Sequence, residues 1–412
     1  MASCDAPGLM PISEAKTIIH SMLTRVTEIE LCNLEGLLDR VLAEDVISPI
    51  NVPAYDNSAM DGYGFSHASS EQSNRFTIIG KSFAGNAFQG TVAAGECVRI
   101  MTGAEIPSGV DTVIMQEATT QSDSIMTISS EVQAGANIRK AGGDIMKGTS
   151  VLKQGHRIGA VDIGLLASLG INKLRVYRKV TVAVFSTGDE LLAAGEAARE
   201  DRIFDSNRPM VIAMLRKLGV EVVDLGIVQD NKTAIRSAFE KANELADCVI
   251  TSGGVSVGEA DYTREVLDEY GSIDFWKLAI KPGKPLAFGR LPNSYFFGLP
   301  GNPVSSAVTF DQIAKEAILH IAGCNTKQPT LFAAIAATRF KKRPGRTDYQ
   351  RVAYFKNDDG ELCVKHVGTQ SSGVLSSFSR SNCYAVLEQE RGTVEIGETV
   401  SILPFDSSIR SL

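Results

Sequence analysis

Apolar and polar positions change their period along the chain, and each period predicts a different kind of element. From Ser13 to about Val26, apolar residues recur at helical spacing, which predicts a capped amphipathic helix. A second helix is predicted over 34–42. From residue 46 to residue 144, short β-like runs separated by Gly, Pro, Asn and Ser take over, among them RFTIIG, ECVRIM, DTVIMQ and SIMTIS.

Strands and helices alternate between about 178 and 326. The strands VTVAVFST, VEVVDLGIV, DCVITS and SYFFGL are almost continuously apolar, and segments of helical period lie between them. This alternation is typical of a doubly wound parallel sheet, whose strands are buried on both faces. After about residue 327, β-like segments such as YQRVAYF and ETVSILPF predict a small barrel or sandwich.

Composition narrows the class of protein. The net charge of −7 argues against nucleic acid as the main partner, although a local cluster of lysines can still bind an anionic small molecule. No apolar run approaches the roughly 20 residues that span a membrane. Seven scattered cysteines without a CxxC pair, and an N-terminus without a signal sequence, predict a cytoplasmic protein with reduced thiols.

Four polar or glycine-rich loops follow four successive strands of the predicted sheet. They are TGDE at 187–190, QDN at 229–231, TSGGVSVG at 251–258 and LPGNPVSS at 299–306. Ligands bind beyond the carboxyl ends of such strands, so we expect these loops to share one rim. Each loop alone is equally consistent with an ordinary turn.

Two of these loops suit an anion. TSGGVSVG lacks the Walker and dinucleotide spacings, but its small residues allow backbone N–H groups to approach a phosphate. The residues concerned are Ser252, Gly253, Gly254 and Ser256. In LPGNPVSS, Asn302 is a candidate N-cap and Pro303 suits the first helical position. The N–H groups of 304–306 are therefore predicted to be free for an anion, the alternative being a capped helix without a ligand.

Three lysines lie in the strand-like segment 275–285. Lys277 and Lys281 have the same parity, so one strand would point both toward one face; solvated charge on an edge strand is the alternative. Lysines beside carboxylates would suit a metal-bridged phosphate. The candidates are Lys277, Lys281, Lys284, Asp189, Glu190, Asp230 and Asp261.

Tight turns of the β-rich region contribute three further polar residues, Asp61, Thr102 and Asp144. Each is a weak signal alone, because such turns are common hairpin connections. A second basic cluster, KKRPGR at 341–346 with Arg351 nearby, is more typical of a solvated turn than of an anion site.

Seven segments now occur together and in order: PAYDNSAMDGYGF, IMTGAEIP, GGDI, FSTGDEL, TSGGVSVGEADY, KLAIKPGKP and LPGNPVSS. Together they resemble the molybdopterin molybdenumtransferase (MoeA) family, which is related to the E domain of gephyrin. The resemblance covers essentially the whole chain.

The resemblance implies an α/β multidomain fold. Its parts would be a central doubly wound parallel sheet of the molybdopterin-binding type, a β-rich insertion domain, a small mixed domain and a C-terminal β-barrel. The corresponding bounds are 1–45 with 145–177 for the N-terminal linking domain, 46–144 for the insertion, 178–326 for the α/β domain and 327–412 for the barrel.

The resemblance also implies a homodimer whose active site is shared between subunits. The family's functional residues match here at Asp61, Thr102, Asp144, Glu190, Asp230, Asp261, Lys277 and Lys281. Further substrate or anion contacts are implied at Pro300, Pro303, Ser305, Arg351 and Ser372. In the C-terminal region Arg346 and Ser371 are close rivals of Arg351 and Ser372.

The implied reaction belongs to molybdenum cofactor biosynthesis. Molybdate is inserted into adenylylated molybdopterin, and AMP is released. The resemblance implies Mg²⁺ held by Asp189, Glu190, Asp230 and Asp261. It also implies molybdopterin adenylyltransferase and downstream cofactor-processing proteins as partners, with no nucleic acid and no membrane.

Two competing functions remain at this stage. A molybdopterin adenylyltransferase resembles the central domain alone, and the insertion and the C-terminal region argue against it. An assembly scaffold is suggested by the eukaryotic relative, but no added linker or partner domain supports it here.

Overall fold

The computed structural model describes residues 8–253, 262–326 and 328–409. Contacts between backbone positions divide the chain into two compact units. The smaller unit is Glu44–Gln154 with Ala160–Leu174, and the larger is Met1–Ala43, Gly155–Gly159 and Arg175–Leu412. The four predicted domain bounds are finer than this division and stay predictions. None of the described helices has both the length and the apolar character that crossing a bilayer requires.

The described helices and strands are numbered in chain order. The helices are α1 Ile12–Met22, α2 His67–Ser70, α3 Ala160–Ser168, α4 Asn207–Lys217, α5 Lys232–Leu245, α6 Tyr262–Tyr270, α7 Pro303–Thr309, α8 Lys315–Ile321 and α9 Ser376–Arg380, with a π-helical turn at Phe310–Ala314 and 3₁₀ turns at Leu34–Gly36 and Gln116–Ala118. The strands are β1 Ile29–Asn33, β2 Val46–Ile47, β3 Asn57–Ser58, β4 Gly62–Phe65, β5 Arg75–Ser82, β6 Glu96–Ile100, β7 Thr112–Met115, β8 Thr119–Ser122, β9 Ile125–Ile128, β10 Ile138–Arg139, β11 Ser150–Leu152, β12 Lys173–Tyr177, β13 Thr181–Thr187, β14 Leu191–Leu192, β15 Ile203–Phe204, β16 Glu221–Val228, β17 Cys248–Ser252, β18 Ser272–Lys277, β19 Ile280–Lys281, β20 Pro285–Arg290, β21 Tyr295–Leu299, β22 Phe332–Ala336, β23 Thr347–Lys356, β24 Leu362–His366, β25 Cys383–Leu387 and β26 Thr399–Pro404.

The central sheet of the larger unit has the strand order β16-β13-β17-β21-β20-β18. Its first four strands are parallel, and β20 and β18 add an antiparallel edge. Alternate residues of β13 enter two separate cores, Val182 and Val184 on one face and Ala183 and Phe185 on the other. The predicted doubly wound sheet is confirmed, since apolar side chains on both faces need helices on both faces.

The C-terminal strands close into a barrel. Strand β23 pairs with both β24 and β25, so the order β23-β24-β22-β26-β25 returns to its start. Closure removes the unpaired edges that an open sheet exposes. The short strand β19 joins this barrel by pairing with β23, which ties the lysine-rich segment to the C-terminal region. Of the barrel and sandwich left open by the pattern, the barrel is correct.

The smaller unit contains a six-stranded sheet in the order β7-β4-β6-β5-β9-β8. Its strands include all four predicted β-like runs. Gly62 begins β4 so close to its neighbour that an added Cβ would lie 1.8 Å from the carbonyl oxygen of Ile114. A side chain at this position would therefore clash with backbone, which explains the glycine beside Asp61.

Two predictions for the N-terminal region are wrong. The segment 34–42 is not a helix: it has one 3₁₀ turn, and Val41 and Leu42 form isolated β-bridges. Asp39 has φ of 63°, which an α-helix does not allow. Leu37, Val41 and Leu42 are buried there, whereas Leu38 is 51% exposed. The first helix also ends earlier than predicted, at Met22.

Candidate active site

Three carboxylates converge where β13 and β16 end. The backbone N–H of Asp230 donates a hydrogen bond to Oδ1 of Asp189 over 3.2 Å. Burial raises the pKa of Asp230, and the charges of Asp189 and Glu190 raise it further. Both neighbours therefore lie close enough for their negative charge to act on Asp230. The structure thus brings together three acidic residues from two predicted loops.

These carboxylates offer the ligands that Mg²⁺ prefers, but they do not form a complete cage. Among the residues that the structure describes, no group of three His, Cys, Asp or Glu has the arrangement of a metal site. Asp261 lies outside the described residues, as do Gly254 and Ser256. Mg²⁺ commonly binds through one or two carboxylates and keeps several waters. The oxygen donors of this loop pair fit that pattern, and a cation would relieve their mutual repulsion.

Asn207, the first residue of α4, forms hydrogen bonds that fix the start of the glycine-rich loop. Its Nδ2 donates to Oγ of Ser252 and to the carbonyl oxygen of Gly301, each over 2.7 Å. The ends of β17 and β21 are therefore linked through one buried amide. Gly253 has φ of +93°, and a Cβ there would approach the carbonyl oxygen of Thr187 to 3.0 Å. Glycine is needed because the chain turns closely over the neighbouring strand.

Sequence reasoning missed this bridge by Asn207. Its Oδ1 is buried and has no hydrogen-bond partner in the described part of the chain. The hydroxyl oxygens of Ser186 and Thr251, on the adjacent strands, are also buried and unpaired. Buried polar atoms are normally paired, so three unpaired oxygens near these strand ends could accept or donate hydrogen bonds to a ligand. The available sequence signal was an Asn at the start of the helical segment after the first predicted acidic loop, in DSNRP at 205–209.

The LPGNP loop leads into α7 as predicted, but its free N–H groups are fewer than predicted. Val304 donates its N–H to the carbonyl oxygen of Ser372 over 3.0 Å, and Ser306 donates to that of Asn302 over 2.9 Å. Asn302 occupies the N-cap position without a side-chain capping bond. The prediction of three free N–H groups is therefore wrong at 304 and 306, where backbone acceptors occupy them. Pro300 and Ser305 are buried and Pro303 is half-buried.

The lysine-rich segment is not one strand. Lys277 ends β18 on the edge of the central sheet, whereas Lys281 belongs to β19 and the barrel. The parity argument fails because the chain changes sheets between the two lysines. Nζ of Lys281 lies 2.9 Å from Oδ2 of the buried Asp348. Lys277 and Lys284 are exposed, and no described acidic residue forms an ion pair with either.

Arg351 is buried, with 1% of its surface exposed. Its Nε donates to Oγ of Ser377 and its Nη2 to the carbonyl oxygen of Ser371, each over 3.1 Å. Burial lowers the pKa of this guanidinium. In this structure Arg351 supports the loop whose next residue, Ser372, accepts the N–H of Val304. The rival Arg346 lies in an open basic pocket.

In the smaller unit, the structure joins two of the three predicted residues. Oδ1 of Asp61 accepts hydrogen bonds from the N–H and from the hydroxyl of Thr102, each over 2.8 Å. These bonds lower the pKa of Asp61, so its carboxylate stays charged. Asp144 is exposed, and no described residue forms a hydrogen bond with its carboxylate.

Comparison with known families covers most of the chain. The model described as MoeA N-terminal region (domain I and II) matches residues 10–170. The probable molybdopterin binding domain matches 183–320, and the MoeA C-terminal region (domain IV) matches 333–405.

Individual relatives agree with this assignment. A molybdopterin molybdenumtransferase of Haemophilus influenzae is 48% identical, and the alignment covers 97% of this chain and 99% of that protein. One from Nostoc is 32% identical over 95% and 93%, respectively. The solved structure of a molybdopterin biosynthesis MoeA protein from Pyrococcus horikoshii superposes with a TM-score of 0.83, at 28% identity, over 96% of this chain and all of that one. The chain therefore belongs to the molybdopterin molybdenumtransferase family of molybdenum cofactor biosynthesis enzymes.

Proposed function

We propose that this enzyme inserts molybdate into adenylylated molybdopterin and releases AMP. The observation that supports it most is the junction of the acidic loops, where burial and two carboxylates raise the pKa of Asp230. A cation that bridges the loops to a phosphate-bearing substrate would relieve this repulsion. The neighbouring glycine-rich loop and Ser305 have small side chains, which allow the same substrate to approach closely.

In this proposal, Mg²⁺ is held by Asp189, Glu190, Asp230 and Asp261. When bound, it would polarise the diphosphate of the substrate and offset the charge that develops there. The protein's part is to hold the two loops in register, through the Asp230 to Asp189 hydrogen bond.

Lys277, Lys281 and Lys284 neutralise the phosphates and the molybdate in this proposal. Asp348 orients Lys281, because the carboxylate is almost fully buried while 43% of the lysine side chain is exposed. A cation fixed before the reaction stabilises developing negative charge without a cost of reorganisation. Molybdate or a water molecule attacks the diphosphate and breaks its P–O–P bridge, so that AMP leaves and the pterin keeps its phosphate. The two dithiolene thiols of the substrate replace one oxide of molybdate, which leaves as water with their two protons.

No cysteine of the protein serves as a molybdenum ligand in this scheme. The six described cysteines are free, and five of them are buried. Burial raises the pKa of Cys97 and of Cys383 to about 12, which keeps these thiols protonated and poor as ligands. Free thiols also suit a reducing compartment, so we assign the reaction to the cytoplasm. Molybdopterin adenylyltransferase would supply the substrate, and cofactor-processing proteins would take the product.

We further propose a homodimer with a shared active site. Asp61, Thr102 and Asp144 lie in the smaller unit, and the acidic rim and the lysines lie in the larger one. In the proposed dimer, Asp61, Thr102 and Asp144 of one subunit complete the site of its partner. The charged Asp61, supported by Thr102, would then contribute to the site of the partner subunit.

The test is AMP release from adenylylated molybdopterin, with and without molybdate and Mg²⁺. We expect molybdate-dependent release from the wild type, and a loss of about 100-fold or more in Lys281→Ala, since one charge-stabilising group is removed. Lys356→Ala, which removes an exposed lysine of β23, is the matched control and should keep full activity. Release that is equal in both variants, or absent under every metal condition, would contradict the proposal.

A further inference from the structure

The C-terminal region contains a pocket outside the acidic rim, with a cavity volume of about 400 Å³. One carboxylate, that of Asp348, contributes to its wall, together with Pro344 and Thr393. The other lining residues are all basic: Lys281, Arg339, Lys341, Lys342, Arg343 and Arg346. We call this the basic pocket. Such a concentration of one sign of charge is unusual in a chain whose net charge is −7.

The turn at 341–346 is solvated at Lys341 and Arg343, but hydrogen bonds fix its backbone. Its start is bridged by reciprocal hydrogen bonds between Phe340 and Val394. Lys342 is buried, and its Nζ donates to three carbonyl oxygens, including that of Arg391 over 2.7 Å. Gly345 adopts φ of +101° and donates its N–H to the carbonyl oxygen of Gln389. The backbone of the turn and the Lys342 side chain are therefore held in place before any ligand arrives.

Most of the positive charge on the open side of the pocket is not balanced. Asp348 pairs with Lys281, and the exposed Glu395 pairs with Arg339. Lys341, Arg343 and Arg346 form no ion pair with any acidic residue that the structure describes. Fixed like charges repel one another, and an anion bound between them would stabilise the arrangement.

We propose that the basic pocket binds a compact polyanion of phosphate chemistry, and that it takes the diphosphate group of the substrate. The choice of the substrate's diphosphate rests on the proposed function, because Lys281 belongs to both sites. Two arginines match the paired oxygens of phosphate groups better than point charges do. Among the described residues, no aromatic ring lines the pocket, so a nucleobase or a pterin would find no aromatic side chain to stack on.

The proposal is tested by titrating inorganic pyrophosphate into the full-length enzyme in a calorimeter, without molybdate or substrate. The pocket variant is Lys341→Gln with Arg343→Gln and Arg346→Gln. The control variant, Lys241→Gln with Lys356→Gln and Lys365→Gln, removes the same charge from exposed positions elsewhere. We expect the Kd of pyrophosphate to rise about tenfold or more in the pocket variant, and no more than about twofold in the control.

Two results would overturn the anion site: equal weakening in both variants, or no binding of pyrophosphate to the wild type at millimolar concentration. Inorganic phosphate and molybdate form a second arm, and binding as tight as that of pyrophosphate would exclude a diphosphate site. A third arm measures KM and kcat for adenylylated molybdopterin. We expect a higher KM in the pocket variant, whereas loss of pyrophosphate binding with an unchanged KM would exclude the substrate assignment alone. Failure of the proposed function would appear differently, as absent turnover with pyrophosphate binding intact.

Discussion

Partial burial and two neighbouring carboxylates both raise the pKa of Asp230. The sequence predicted that Asp189, Glu190 and Asp230 would share a rim, because the carboxyl ends of parallel strands lie together. It could not predict the hydrogen bond between the Asp230 N–H and Asp189, which depends on the local turn. The sequence also could not predict the bridge made by Asn207, since its two hydrogen-bond acceptors are distant from it in sequence.

The raised pKa of Asp230 gives a prediction for stability. The folded chain holds this proton more tightly than the unfolded chain, whose carboxyl has the ordinary pKa of 3.8. The free energy of unfolding therefore falls as pH rises from the ordinary pKa of the unfolded chain through the raised pKa of the folded chain. Asp230→Asn should remove this penalty and raise the Tm at pH 7 without Mg²⁺ by about 1 °C.

The same variant should lose the stabilisation that Mg²⁺ gives to the wild type, because one ligand is gone. Thermal melts with and without Mg²⁺ measure both effects. Asp268→Asn on α6 is the control, since Asp268 is exposed and lies on a different element. A Tm that falls in Asp230→Asn without Mg²⁺, or a Mg²⁺ response equal to that of the wild type, would contradict this account.

At the scale of elements, the apolar patterns predicted most strands and helices, and the failures have physical causes. The pattern predicts one strand over 275–285, but β18 ends at Lys277 and β19 ends at Lys281, where Pro282 follows and cannot donate to a ladder. The chain instead leaves the central sheet after Lys277 and pairs with the barrel at Ile280. The predicted helix at 34–42 failed because the buried Val41 and Leu42 form β-bridges with distant parts of the chain.

Gly283 allows the lysine-rich segment to lie against α7, which gives a second prediction. Its φ is +115°, and an added Cβ would lie 2.5 Å from Oγ1 of Thr309. Gly283→Ala should lower the free energy of unfolding by about 1–3 kcal/mol. Gly301→Ala is the matched control, because a Cβ there meets no atom within 4 Å. Denaturant unfolding measures the free energy of unfolding of both variants. Equal values for the two would show that the close approach at Gly283 does not constrain the loop.

At the scale of the whole molecule, the sequence predicted the fold class, because each part has its own pattern. The doubly wound sheet follows from apolar strands that alternate with helices, and the barrel was one of two arrangements that its strands permitted. Barrel closure could not be predicted, since it depends on the pairing of β23 with both β24 and β25. The candidate residues lie in two structural units, and no sequence pattern joins them.

The proposed shared active site gives a third prediction. Asp61→Ala changes the smaller unit, and Lys281→Ala changes the larger one. Each variant alone should be inactive, but subunits mixed by co-expression should form heterodimers with one intact site. With random pairing, we expect about a quarter of the wild-type AMP release. Mixtures as inactive as either parent would show that each subunit forms its own complete site.

The central claim is that AMP release and molybdenum insertion are one coupled reaction. The most direct measurement is a single turnover of adenylylated molybdopterin, in which AMP and molybdenum-bound pterin are quantified in the same sample. We predict that the two products appear at equal rates, in a ratio of about one to one, and only when molybdate is present. AMP release without molybdate, or molybdenum-bound pterin that forms without AMP, would contradict it.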